Sequence, residues 1–256
     1  MSYMLYCIFS NSVYTSLNET RNHKNQKEEV HTGIGGQPVF IVANNRLSAA
    51  VSKIAFSELV PAVPRILIYK KVVESFHRDF TVIPMRYGCV FNKEYQIVNF
   101  LEERTKQFET LLKELDGNVE FGIRIFFEMN QQEETHATHE ILNSPTCWRT
   151  YLAARKAHYV QEETVNKEIR LMIERCCNAF KGLFIKYRVE NQIDKNLQLI
   201  SLYFLISRKC MESFRSVFQH ISCDKSVKFL LSGPWPPYNF VLPISTLNND
   251  GSFCFK

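Results

Sequence analysis

Few side chains in this 256-residue chain have types and spacing suited to chemistry. His136 and His139 stand three apart, a spacing that can hold a metal from one helix face. No Glu adjoins the first imidazole and the setting is a Gln/Glu-rich linker, so the zinc-hydrolase pattern is missing. His77-Arg78-Asp79 sets a base near an acid, but adjacent helical residues do not face each other. Cys176 and Cys177 cannot both face one way on a helix and read as core thiols. Gly33-Ile34-Gly35-Gly36 looks like a phosphate cradle, yet a strand follows it, so no helix N-terminus awaits an anion and a turn is expected. No Ser or Cys nucleophile has a recognisable setting and no paired carboxylates stand out. The expectation is a protein without catalysis, cofactor or metal.

Two stretches carry unusual composition instead. Arg86 lies in an apolar segment between Pro84 and Gly88, where an unpaired guanidinium is costly. It calls for a carboxylate or carbonyl partner across a domain interface, or else serves as an anchor facing a partner protein. Near the other end, Val227 to Leu231 reads as a buried strand that Ser232-Gly233 ends. Pro234, Pro236 and Pro237 then hold the chain extended, with Trp235, Tyr238 and Phe240 on a stiff backbone. Such rings either plug a core edge or meet a partner, and self-packing is the favoured reading. On that reading Trp235→Ala lowers stability strongly, while Tyr238→Ala costs less if its hydroxyl reaches solvent.

The totals fit a globular chain, with 45% apolar and 22% charged residues. The net charge of +5 is spread along the chain rather than gathered as a nucleic-acid binder gathers it. The eight cysteines include no C-x-x-C pair and no repeated spacing, which argues against a zinc site or disulfide framework. No signal peptide or membrane-spanning run is recognisable, so a cytoplasmic protein with free thiols is expected.

The elements that must position these residues fall into two sets. Tyr3 to Phe9 is a fully buried strand, followed by a polar insertion loop over 18–31. Strands are expected at 38–42 and 47–51, then a helix from Pro64 with Ile66, Tyr69, Val72, Val73, Phe76 and Phe80 inward. Thr81 to Phe91 is strand-like with Pro84 marking an edge or bulge. Asn92 is expected to cap one long helix that ends before Gly117. Beyond it lie strands at 119–127, 183–189, 199–206 and 225–231. A long helix from Ser144-Pro145 and a short one over 211–221 separate them. The expectation is an α+β protein of two domains. Residues 1–117 form a mixed α/β domain, and 118–256 a ferredoxin-like β-α-β-β-α-β domain with a long helix and the proline-rich tail.

Three segments resemble one family. Ser-Gly-Pro-Trp-Pro-Pro-Tyr-Asn-Phe-Val at 232–241 is similar to the closing signature of the gas vesicle protein F/L family. Val82-Ile83-Pro84-Met85-Arg86-Tyr87-Gly88-Cys89-Val90-Phe91 resembles its V-L-P-M-R-F-G-T-V-F segment, and Tyr3 to Ile8 its first strand. The family's Gly-Pro-Gly-x-x-Tyr-Leu helix start survives here only as Tyr151-Leu152. The resemblance implies a minor component of gas vesicles, the hollow shells that give microbes buoyancy. It implies binding of the small hydrophobic shell protein, with help in assembly or nucleation that keeps that protein from aggregating, on the gas-facing surface. Expected partners are the shell protein and other gas vesicle accessory proteins, with no nucleic acid, membrane or cofactor. The alternative is a ferredoxin-like nucleic-acid or small-ligand module, with Phe184, Tyr187, Tyr203 and Phe204 as its candidate rings.

Overall fold

The computed structural model describes residues 2–16, 31–128, 167, 169–194, 197–222 and 227–241. The chain divides into two compact units. The first comprises Met1–Phe121, Leu205–Arg208 and Gly233–Lys256, and the second Gly122–Phe204 and Lys209–Ser232. The division is interleaved rather than a single cut at Gly117, and the proline-rich tail groups with the first unit.

In the first unit β1 (Ser2–Ser10) pairs antiparallel with β3 (Leu47–Ile54), which pairs with β2 (Val39–Ala43). On its other side β1 receives two short strands, β4 (Ile83–Pro84) and β5 (Val90–Phe91). The proline-bearing stretch is therefore split in two, because Pro84 offers no N–H to prolong a ladder. Between the pieces Cys89 N–H donates to the Arg86 carbonyl at 3.2 Å. Gly88 closes this turn at φ +86°, a conformation that disfavours a side chain.

Both faces of the sheet are covered, which explains the unbroken apolar run of β1. Leu5 and Ile8 pack with Ile97, Leu101, Phe108 and Leu115 of α3 (Glu94–Glu103) and α4 (Thr105–Leu115). Met4, Tyr6, Cys7 and Phe9 pack with Tyr69, Val72, Val73 and Phe76 of α2 (Val63–Asp79). A register shift between Leu5 and Cys7 puts two consecutive side chains, Tyr6 and Cys7, against α2. A short helix α1 occupies 11–16. The single helix expected after Asn92 is two, broken at Arg104, where φ −113° and ψ 12° leave the helical region. Asn92 is not its cap; the Gln96 side chain accepts from the N–H groups of Asn92 and Lys93. Gly117 does follow the last turn, at φ +67°.

The second sheet runs β7-β8-β6-β9, with β6 Asn118–Glu128, β7 Lys186–Asp194, β8 Leu197–Ser207 and β9 Lys228–Trp235. The described part of helix α5 covers 169–179, and α6 is Met211–Ile221. In the second unit Phe180 stacks on Phe214 at 4.1 Å between centroids, and both touch Phe204 of β8. The expected strand at 225–231 is neither fully buried nor ended by Ser232-Gly233. As an edge strand it alternates exposed and half-buried residues, and it continues to Trp235.

Candidate functional site

The tail is locked at its start by backbone geometry. Gly233 sits at φ +118°, and a Cβ there would meet the Glu120 carbonyl oxygen at 2.7 Å and the Phe121 Cα at 3.2 Å. Only glycine lets the two strands approach so closely. Pro234 follows through a cis peptide bond, and Pro236 and Pro237 are buried. The chain then turns through a short 3-10 segment, Tyr238–Phe240, instead of staying extended.

One polar clamp holds that turn. The carboxylate of Glu120, only 3% exposed, accepts from the Asn239 backbone N–H at 2.8 Å and from its side-chain amide at 2.6 Å. A buried carboxyl group that accepts from two donors in a fork is an orienting contact. Phe240 and Val241 pack against the core beneath α3 and α4, and Tyr238 packs against the α2 core.

Trp235 and Tyr238 are both half-buried, but in different settings. The Tyr238 hydroxyl does not reach solvent; it is buried and has no hydrogen-bond partner among the described residues. Burial first, and the Glu74 carboxylate next, push its pKa above the usual phenol value. Trp235 is half-buried, with the Lys70 ammonium 3.8 Å from its ring centroid, and Lys70 also lies 3.6 Å from Glu74. One face of its ring therefore meets Lys70 of α2.

The earlier signature segment is likewise mostly structural. Pro84 and Gly88 are buried, and Met85 N–H donates to the Tyr6 carbonyl at 2.9 Å. The Tyr69 hydroxyl donates to the carbonyls of Tyr6 and Met85, tying α2 to β1 and to the strand end. Arg86 departs from expectation: it is exposed, so its guanidinium carries no burial cost that a partner must offset. The Gly33 turn is a turn, as expected; its Ile34 N–H donates to the Tyr6 hydroxyl at 3.1 Å.

Two contacts that sequence reasoning missed stand out. Glu120 and Asn239 lie far apart in the chain, and no local pattern links them. His77 is 8% exposed, and the Arg208 guanidinium contacts its Nε2 at 3.0 Å and its carbonyl at 2.8 Å. Burial first and this cation next lower the His77 pKa to about 4, so it is neutral near pH 7. The contact is structural and joins residues distant in the chain.

Among the described residues no three His, Cys, Asp or Glu gather where a metal would sit. His136, His139 and the start of the long helix lie outside the described residues. Cys7, Cys176, Cys177 and Cys210 are free thiols, and burial lifts the Cys176 pKa to about 11. Phe204, proposed as a base-stacking ring, is fully buried against Phe180 and Phe214 and is closed to a ligand. No helix among the described residues is long and apolar enough to cross a membrane.

Comparison with known proteins agrees with the signature. The family model "Gas vesicle synthesis protein GvpL/GvpF" matches residues 3–242. Gas vesicle protein L of a Streptomyces species is 23% identical over 81% of this chain and 85% of its own. Gas vesicle protein F1 of Halobacterium salinarum is 21% identical over 81% and 83%. The crystal structure of GvpF from Microcystis aeruginosa matches with a TM-score of 0.70 at 18% identity, covering 93% of this chain and 98% of that one. GvpF from an Anabaena species matches at 0.67 and 17% identity, over 93% and 95%. These likenesses carry the α+β fold, and with the family match over nearly its whole length the chain belongs to the GvpL/GvpF family of gas vesicle synthesis proteins.

Proposed function

We propose that the protein binds the small hydrophobic gas vesicle shell protein and assists its assembly, nucleating it or keeping it from aggregating, at the gas-facing surface of vesicles in the cytoplasm. The family match over residues 3–242 is the observation that carries this reading. Its partners are then the shell protein and other gas vesicle accessory proteins, and its work is done by binding rather than by catalysis. The element order β6-α5-β7-β8-α6-β9 and the sheet order β7-β8-β6-β9 suit a ferredoxin-like second domain, a scaffold that leaves function to its surfaces. Within the signatures, Pro84, Gly88, Gly233, Pro236, Pro237, Tyr238 and Phe240 act by shaping the fold. Arg86, Pro234 and Trp235 remain toward the surface for a partner.

The test is a gas-vesicle-forming host lacking this gene, complemented with a tagged copy. The expected result is restored vesicles and co-purification of the shell protein with the tag. Vesicles that form equally well without the gene, or a tag that recovers no shell protein, would overturn the reading.

A further inference from the structure

The first turns of α2 and the segment before them turn apolar side chains outward. Phe56 is 75% exposed and Val63 71%, with Val60, Ile66 and Leu67 also exposed. Val63, Ile66 and Leu67 sit at i, i+3 and i+4, so they form one stripe along the helix, beside the face that carries the buried Tyr69, Val72 and Val73. Val60 abuts its start, since Arg65 Nη1 donates to the Val60 carbonyl at 3.0 Å. At i+7 from Val63 comes Lys70, whose ammonium lies over Trp235, so the tail's indole continues the stripe. The first turns of α2 thus carry a wider apolar surface than the core covers.

Area and charge select what covers this stripe. The exposed side chains offer on the order of 500 Å², the size of the largest patch on a typical monomer. That is less than the roughly 800 Å² per partner of a standard protein–protein interface, and it suits a single helix. The flank is basic: Lys71, at i+4 from Leu67, is exposed beside the stripe, and Arg65 and Lys70 share its turns, while Arg78 farther along is followed by the exposed Asp79. The carboxylates nearby are engaged within the chain, Glu74 by Lys70 at 3.6 Å and Glu58 by the Ala55 N–H at 3.4 Å. A second copy of this chain would set these cations against themselves.

We infer that the outward stripe of α2, formed by Val63, Ile66 and Leu67 with Phe56, Val60 and Trp235 beside it, docks an amphipathic helix whose apolar face is flanked by carboxylates. On the function proposed above, that helix belongs to the client of the assembly protein, and the inference rests on that reading for the client's identity only. The docking geometry is helix against helix, with side chains of the partner entering the grooves beside Ile66 and Leu67.

The probes are two synthetic helical peptides of about 18 residues with the same leucine face, one flanked by glutamates and one by lysines. Full-length protein should bind the glutamate peptide at least about tenfold more tightly. Ile66→Ser/Leu67→Ser should abolish binding with an unchanged melting temperature, and Lys71→Glu should shrink or reverse the preference. Equal affinity for both peptides, no binding, or binding untouched by the double variant overturns the proposal. So does tighter binding to vesicles of anionic lipid through the same residues, or a concentration-dependent dimer that the double variant dissolves. Co-purification separates the two readings. Wild type that recovers no shell protein denies the function, whereas a double variant that recovers it as well as wild type denies only this surface.

Discussion

The two halves of the C-terminal signature look alike in sequence and differ in physics. Tyr238, Asn239 and Phe240 are held by the core and by the Glu120 carboxylate, while Trp235 rests half-buried against Lys70 on the outer side of α2. Both halves carry a large ring beside prolines, so composition alone assigns them the same role. The difference teaches that a proline-rich aromatic segment can anchor itself with one ring and present another. What decides between them is a partner for the backbone, here a carboxylate that sequence distance conceals.

That contrast can be broken at several points. The clamp should matter most: Asn239→Leu strips the side-chain donor from a buried carboxylate, leaving only the backbone N–H, and should cost about 3 kcal/mol, seen as a lowered urea midpoint. A comparable effect belongs to the other buried polar contact. The folded His77 pKa of about 4 lies below the unfolded 6.5, so protonation opposes folding. Its stabilising contribution is complete above pH 6.5 and falls away as pH drops toward 4, by up to about 3 kcal/mol. His77→Gln should flatten the decline in melting temperature between pH 7 and 4.5; an unchanged slope would remove His77 from the account. Next, Gly233→Ala forces a side chain into a positive φ against the Glu120 carbonyl and should cost about 2 kcal/mol, read from chemical denaturation. The smallest effect should come from Tyr238→Phe, which removes a buried hydroxyl without a partner among the described residues and should gain about 1 kcal/mol. A clear loss in that variant would point to a hydrogen bond that the hydroxyl does make.

The periodic parts of the fold were legible. Apolar residues at nearly every position of 3–9 announced a strand covered on both faces, and the i, i+3, i+4 pattern from Pro64 announced α2. Pro84 announced an irregularity, though not the division into β4 and β5 around a Gly88 turn. What stayed hidden depended on residues distant in sequence. Arg86 looked trapped because its neighbours are apolar, yet a tight turn points it outward. The run at 227–231 looked buried because all but one residue is apolar, yet its place at a sheet edge exposes Leu230. Ile66 was expected inward; at 43% exposed it lies on the outer stripe, which a search for one apolar face overlooks. The Glu120–Asn239 clamp and the His77–Arg208 contact have no local signature at all.

The most direct test compares thermal denaturation of Trp235→Ala and Tyr238→Ala under one buffer condition. Both rings are half-buried, but Tyr238 packs against the α2 core, where truncation costs about 3–5 kcal/mol, whereas Trp235 resting on a lysine should lose roughly a third of that. At about 2–4 °C per kcal/mol for a chain of this size, Tyr238→Ala should melt about 4–13 °C lower than Trp235→Ala. Equal melting temperatures, or a larger fall for Trp235→Ala, would contradict the division of the signature into an anchored half and a presented half.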